Sequence, residues 1–583
     1  MEFFRKLFNF LNLSISISVI GTLVWWHGFQ YQPHHLHPHI LYLNLCFLFF
    51  ILQFLFRAKL SGNFKMYLKK NGIEYFLFVF LLIEWILSYL LDFSLVRILA
   101  STSNIENHDH LYMLLLHSWL LLFVAIELGK ATRRRTIWQL SPPVLFVLSF
   151  TVLTIIGSSL LMLPEMTVTK ESMPFVDAFF TSISANCVTG LTVVDTATYF
   201  SLKGKVLILV LIQLGGLNII GFATYFISNF RNRTIAEKHG QSIKELLHTD
   251  NLSRNKSLIK RVIITSLLIE FVGTILIYNA WDQSILFSNN GDKLFHSIFH
   301  SVSAFNNAGF TLFTDGLTNS SVSNLYSIHV IIAVLIVMGG IGFLTLEEIF
   351  NPKKLRSIYK KKTKLSVQSK ISLYSAASLV VIGTVLFYLF ESGNTLSNKD
   401  SAEGFITSFF QSITTRTAGF NTVDFSEVSS GFLIVALILM FIGASSGSTA
   451  GGVKTSTITV LLLSFWKRKN KKDDYGNSFL TRSLVKKAIS LVIYSFCVIA
   501  ISTVLLVIFE PNHSFMQLLF EEVSAFGTVG LSTGITSDLS ATGKAIIMSS
   551  MFIGRIGPLA LAYSLIKSVP FKTSEKEKGI MLG

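Results

Sequence analysis

The chain has 583 residues, 51% of them hydrophobic, with a mean hydropathy of +0.58 and 14% charged; soluble domains carry about 25% charged residues. Its formal net charge of +16 would suit nucleic acid, but the basic residues gather in short connections between apolar runs, as cytoplasmic loops require. Composition therefore points to a polytopic protein embedded in a lipid bilayer and sets nucleic-acid binding aside. The cysteines Cys46, Cys187 and Cys497 lie far apart and offer neither a CxxC metal spacing nor a disulfide framework.

The N-terminus MEFFRKLFNFLNLSISISVIGTLVWW has a basic start and an apolar run without a small-residue cleavage site, so it reads as a retained first helix. Four apolar runs, near 8–27, 40–57, 73–92 and 111–129, predict four transmembrane helices within residues 1–136. Basic segments at 57–70 and 130–136 follow the second and fourth runs, which puts the N-terminus on the cytoplasmic side. The outer loop PHHLHPH carries His34, His35, His37 and His39. Metal or pH chemistry is conceivable there, but with no acid or cysteine beside them, fortuitous loop histidines are the favoured reading. Glu84 and Glu127 lie within apolar runs, yet no run carries arginines at every third position, which disfavours a voltage sensor.

From about residue 137 a pattern repeats, over 137–232, 258–352, 366–468 and 481–571. Each unit has an apolar span, a shorter amphipathic segment rich in Phe and Ser, a glycine-bearing polar stretch, and a second apolar span. The short segments read FVDAFFTSISAN, KLFHSIFHSVSAF, EGFITSFFQSITT and FMQLLFEEVSAF. The glycines behind them, Gly190, Gly309, Gly419 and Gly530, are spaced 309−190=119, 419−309=110 and 530−419=111. Internal duplication explains such intervals, and it is typical of transport proteins. Basic segments separate the units, so all four glycine stretches fall on the outer side. The predicted fold is all-α: four repeats of span, pore helix and span around one pseudo-four-fold pore, behind four extra N-terminal helices.

An unpaired backbone amide in hydrocarbon costs several kcal/mol, so non-helical backbone survives only inside protein or against water. Four equivalent stretches satisfy this by meeting around one axis, their carbonyls lining a passage as in a potassium filter. A helix C-cap would explain one such glycine, but not four in register. The candidate ion-binding residues are Val188, Thr189, Gly190, Asn307, Ala308, Gly309, Thr417, Ala418, Gly419, Thr528, Val529 and Gly530.

The third unit's last span is too long. From Gly431 to Trp466 the chain stays largely uncharged for 36 residues, well beyond the ~20 a helix needs. Its middle, GASSGSTAGGVKTST over 443–457, is too rich in glycine and hydroxyl residues for a continuous helix. The expectation is two half-helices joined by a loop at membrane depth. Arg555 lies mid-span in the fourth unit, where a charge costs about 2.5–3.5 kcal/mol. Loop carbonyls or hydroxyls near Ser446–Thr449 are its natural acceptors, and a snorkelling arginine is the alternative. Asp177, Asp195, Asp424 and the pair Glu521–Glu522 suggest a negative outer vestibule, though each could instead cap a local turn. His296 and His300 have a metal-compatible i,i+4 spacing, but polar packing behind a filter is favoured.

The motifs VTGLTVVD, NNAGFTLF, RTAGFNTVDF and GTVGLSTG together resemble the Trk/Ktr/HKT superfamily of potassium transporters, across residues 140–570. The resemblance implies one glycine per repeat in a single K+ filter. It also implies an intramembrane gating loop at Gly447, Ser448, Thr449, Ala450, Gly451, Gly452 and Lys454, held closed by Arg555. Members that favour Na+ tend to carry Ser for the first glycine, so Gly190 implies K+. A Na+-selective or H+- or Na+-coupled transporter of the same fold is the alternative, and a membrane metal or haem enzyme a distant one. Asn186–Cys187 and Asn306–Asn307–Ala308 depart from the family pattern beside the filter. By resemblance the protein is no enzyme and needs no covalent cofactor. It is expected in the cell membrane as a homodimer, each protomer with its own pore, under a cytosolic nucleotide-binding RCK-type ring.

Overall fold

In the computed structural model the described residues are 2–30, 36–60, 142–229, 255–350, 365–469 and 482–557, apart from 283, 284 and 286, with six isolated positions between 72 and 124. Regular structure among them is helical. The chain divides into two compact units, Met1–Gln139 and Leu140–Gly583.

The first unit contains α1 (Glu2–Gly28) and α2 (Leu36–Leu60). Val19, Leu23, Leu43, Phe50 and Phe54 form its core together with Leu120 and Val124. The runs expected at 73–92 and 111–129 lie almost wholly outside the described residues, as do His34 and His35. His39 is not in a loop but in the first turn of α2, buried and stacked on Trp26. His27 Nε2 lies 2.9 Å from His117 Nδ1, and His39 Nε2 lies 3.1 Å from His117 Nε2. His117 meets its neighbours through different nitrogens, so three lone pairs do not converge on one point, and no metal-ligand group occurs among the described residues.

The second unit holds four groupings of helix, short helix, glycine turn and helix. They are α3 (Pro142–Leu161), α4 (Phe175–Asn186) and α5 (Leu202–Asn229); α6 (Asn255–Ala280), α7 (Asn290–Phe305), α8 (Tyr326–Gly340) and α9 (Phe343–Phe350); α10 (Val367–Glu391), α11 (Ser401–Thr414), α12 (Ser430–Phe441) and α13 (Thr455–Lys469); and α14 (Arg482–Phe509), α15 (Phe515–Gly527) and α16 (Ala541–Ile556). The long helices α6, α10 and α14 are apolar enough to cross a membrane and turn large side chains outward, such as Phe271 (64% exposed) and Phe496 (66%). An apolar outer surface of this kind needs lipid against it.

Three of the short helices begin at side-chain caps. Asn289 accepts from Asp292 N at 2.8 Å to start α7, and capping boxes pairing Asp400 with Glu403 and Ser514 with Gln517 start α11 and α15. The first three short helices, α4, α7 and α11, dock on their preceding long helix by a serine that reaches a helix carbonyl. Ser182, Ser301 and Ser412 donate to Thr154 O (2.9 Å), Glu270 O (2.7 Å) and Val380 O (2.8 Å). Gly157, Gly273 and Gly383 make the room, since a Cβ at each would collide with that serine. In the fourth grouping Glu522 stands in this layer, accepting from Ser550 at 2.6 Å. The following long helices approach equally closely: Gly215, Gly339 and Gly554 lie against the carbonyls of Asn186, Phe305 and Phe526.

Two breaks interrupt the second spans. The third is divided between α12 and α13 by residues 442–454, so the irregular segment ends at Lys454 rather than at 457. The second, expected as one continuous span, is bent by 106° between α8 and α9. Gly342 makes the corner with φ +90°, and a Cβ there would sit 2.7 Å from Ser446 O. Phe343 N donates to Gly447 O at 2.8 Å, and Ser445 N to Gly340 O at 3.0 Å. The bend and the break therefore satisfy each other's backbone groups, as apolar surroundings demand.

Candidate functional site: a ring of four glycine turns

Directly behind each short helix the backbone turns left-handed twice. Val188, Asn307, Thr417 and Thr528 have φ of 57°, 60°, 73° and 50°, and the glycines two residues on have φ of 94°, 69°, 76° and 91°. A β-branched residue at positive φ is strained by about 1–3 kcal/mol and persists only where its surroundings over-determine it. Here hydrogen bonds do so. Thr189 N, Ala308 N and Val529 N donate back to Ser184 O, Ser303 O and Ser524 O, each at 2.8 Å, and Ala418 N donates to Thr414 O at 3.0 Å. Hydroxyls close each turn from the other side: Ser184, Ser303 and Thr414 donate to Leu191 O (2.6 Å), Phe310 O (2.8 Å) and Phe420 O (2.6 Å). Ser184 and Ser524 accept from Gly190 N and Gly530 N, both at 3.1 Å. These hydroxyl residues escaped the sequence reading, although each recurs at the end of its Phe/Ser-rich segment.

The four turns meet. A Cβ on Gly190 would stand 3.1 Å from Gly309 Cα, one on Gly309 3.0 Å from Gly419 Cα, one on Gly419 3.1 Å from Gly530 Cα, and one on Gly530 3.0 Å from Gly190 Cα. The order closes on itself. In each step the Cβ would also press on the carbonyl oxygen preceding the next glycine, that of Ala308, Ala418, Val529 and Thr189 in turn. Every position named for the filter from sequence lies in this ring or one residue from it. The short helices end just before it, and helix C-termini carry partial negative charge that favours a cation.

The segment 442–454 lies against one side of the ring. Thr449 Oγ1 is 3.2 Å from Asn307 Oδ1, 3.3 Å from Gly339 O and 3.4 Å from Phe305 O, and Gly451 N donates to Thr528 Oγ1 at 3.1 Å. Gly447 and Gly452 adopt φ of 70° and 66°, and Gly452 packs on Gly527. Ser448 is buried, and Lys454 Nζ donates to Ala450 O at 2.6 Å and Gly451 O at 3.3 Å. Arg555, 3% exposed, donates from Nη1 to Thr449 O and from Nη2 to Gly215 O at 2.7 Å. Sequence reasoning named the right acceptor region for Arg555, and the snorkelling alternative is excluded by its burial.

Among the acids, Glu521 and Glu522 depart from expectation. Glu521 and Glu522 are buried and face packed helices and turns, not a vestibule; Glu521 accepts from Ser532, from Thr533 N at 3.0 Å and from Thr536 at 2.8 Å. Asp195 caps its own turn through Ala197 N (2.9 Å) and Thr198 (2.8 Å), Asp424 does so through Ser426 N (2.9 Å), and Asp177 pairs with Lys544 at 2.8 Å. His300 packs on Trp281 and Phe313, and His296 lies 3.8 Å from Asp292.

A sequence profile described as "TrkH: Cation transport protein" matches residues 133–577. The potassium/sodium uptake protein NtpJ of Enterococcus hirae is 35% identical over 461 residues, covering 77% of this chain and 99% of the relative. The Ktr system potassium uptake protein B of Bacillus subtilis is 35% identical over 434 residues, 74% of this chain and 94% of the relative. The crystal structure of the potassium transporter TrkH from Vibrio parahaemolyticus superposes with a TM-score of 0.59 at 20% identity, over 77% of this chain and 90% of that one, a likeness of fold.

Proposed function

The chain belongs to the TrkH family of cation transport proteins, and from that premise we propose that it takes up K+ across the cell membrane through the glycine ring, gated by the segment 442–454. The observation that carries this reading is the closed order of Gly190, Gly309, Gly419 and Gly530, with a backbone carbonyl set against each. Oxygens so arranged replace a cation's hydration shell, and glycine is required because any side chain would push a carbonyl off the axis.

In this reading the four groupings are the repeats at 137–232, 258–352, 366–468 and 481–571, behind an N-terminal block at 1–136 whose start is cytoplasmic. The ring is the outer constriction. Below it Thr449 and Gly451 block the path while anchored to Asn307 and Thr528, and Arg555 holds Thr449 O from the far side. Opening breaks those contacts and releases the loop. Relatives named as parts of a Ktr system support a regulatory partner, which we take as a cytosolic nucleotide-binding ring acting on a homodimer. A K+/Na+ transporter is the second reading, favoured by the name of the Enterococcus relative.

The test is rescue of a K+-uptake-deficient bacterium at low external K+. Wild type should rescue, and Gly190→Ser should lose rescue while admitting Na+. No rescue by a well-expressed wild type overturns the K+ assignment.

A further inference from the structure

At the end of three of the four short helices, or within two residues past it, stands a polar side chain that reaches back to the preceding long helix. Asn186 Nδ2 donates to Phe150 O (3.1 Å) and Thr154 Oγ1 (3.0 Å), and Arg416 Nη1 to Ala376 O (3.2 Å). In the second grouping the anchor is a carboxylate. Asn306 Nδ2 lies 3.2 Å from Glu270 Oε1, 3.0 Å from Gln213 Oε1 and 2.9 Å from Val302 O, while Gln213 Nε2 donates to both Glu270 oxygens at 3.1 and 3.2 Å. Glu270 is 4% exposed and Asn306 fully buried. A carboxylate at this depth is costly and marks a functional position by default. Its hydrogen-bonding partners in the site are two amides, and one of them adjoins Asn307. Gly216 leaves the space Asn306 Oδ1 occupies, since a Cβ there would overlap that atom.

We propose that Glu270 is a positioning residue for ion selectivity: through Asn306, with Gln213 as brace, it holds the second quarter of the ring in register. This rests on the filter reading above. Asn306 immediately precedes Asn307, whose left-handed backbone directs the Ala308 carbonyl at Gly190. Removing Glu270 takes one acceptor from Asn306 and both acceptors from Gln213 Nε2, so the amide pair that braces this layer loosens and Asn307 loses one of the restraints on its left-handed backbone at φ 60°. The quarter then relaxes and its carbonyl no longer fits a dehydrated K+. The first and third quarters anchor on a carbonyl of the preceding long helix, with Thr154 Oγ1 added in the first, and of these three anchors that of the second quarter is the one that includes a carboxylate.

The test measures K+ and Na+ uptake by the full chain in K+-uptake-deficient cells, normalised to membrane abundance. Glu270→Ala should lower the K+/Na+ uptake ratio about tenfold, the low end of what loss of an outer-shell partner costs at metal sites, with KM for K+ moving more than the maximal rate. Asn306→Ala should match it, and the double variant should be no worse than either alone. Glu270→Gln, which keeps an acceptor for Asn306, should recover the ratio; a Gln variant as damaging as Ala overturns positioning by hydrogen bond. An unchanged ratio in Glu270→Ala, or additive losses in the double variant, overturns the inference. Should Glu270→Ala fail to reach the membrane, Asn306→Ala decides alone, and an unchanged ratio there overturns it. Gly309→Ser separates the two levels. If it leaves the ratio intact the filter reading fails, and if it alone lowers the ratio only the role of Glu270 fails.

Discussion

Gly190, Gly309, Gly419 and Gly530 were legible because a residue without a side chain, recurring at near-equal intervals behind similar segments, has few explanations. Val188, Asn307, Thr417 and Thr528, two residues earlier, were named for the filter as well, but their left-handed backbone was not legible. No single residue type occupies the four positions, and valine and threonine disfavour the left-handed backbone they adopt there. The hydroxyls that stabilise those turns do recur, and they should be measurable. Ser184→Ala leaves Gly190 N without its acceptor and Leu191 O without its donor. It is expected to cost about 1–3 kcal/mol in thermal unfolding in detergent, the penalty for unsatisfied buried groups; no shift would mean the turn does not depend on it. Arg555→Ala should raise ion flux without cytosolic activation, because Thr449 O loses the guanidinium that pins it. Unchanged or reduced flux in a protein that reaches the membrane would remove Arg555 from the gate.

Among elements, the long helices were legible from length and apolarity, and the break before α13 from its glycine density. The bend between α8 and α9 was missed because MGGIGFL stays apolar throughout, and apolar continuity was read as helical continuity. Its reason for bending lies 446−342=104 residues away, in the carbonyls of Ser446 and Gly447. Gly342→Ala therefore forces a Cβ onto Ser446 O at positive φ, and a loss of about 1–2 kcal/mol for the left-handed backbone alone is expected from a thermal melt. Thr449→Val keeps the shape of the loop and removes its hydroxyl from Asn307, Phe305 and Gly339. The expected outcome is a larger open fraction in single-channel or flux recordings. Outside the spans, burial would raise the carboxyl pKa of Glu165, but Lys203 at 3.0 Å and Lys170 at 3.6 Å outweigh it and hold the pKa below its usual value. The stability it contributes is present above the unfolded-state pKa of about 4.3 and is lost as pH falls through the lower folded value. Glu165→Gln should accordingly lower Tm at neutral pH and converge with wild type in acid.

For the molecule as a whole, internal duplication was the strongest signal in the sequence, and it led to the ring. It could not reveal how unequal the quarters are. Cys187, Asn306, Arg416 and Gly527 occupy one layer with four different chemistries, and the segment 442–454 touches Asn307 and Thr528 among the residues preceding the carbonyl layer. Glu521 and Glu522 were misread because two adjacent acids on an amphipathic helix look solvent-facing until the turn and the helices that bury them are known. The central claim is that four glycines form one ring around one ion path. It is tested most directly by measuring K+ and Na+ flux into liposomes for Gly190→Ala, Gly309→Ala, Gly419→Ala and Gly530→Ala side by side. Each folded variant should lose discrimination between K+ and Na+, because each added Cβ meets the neighbouring quarter. A glycine whose replacement leaves both flux and discrimination at the wild-type level would contradict a shared ring.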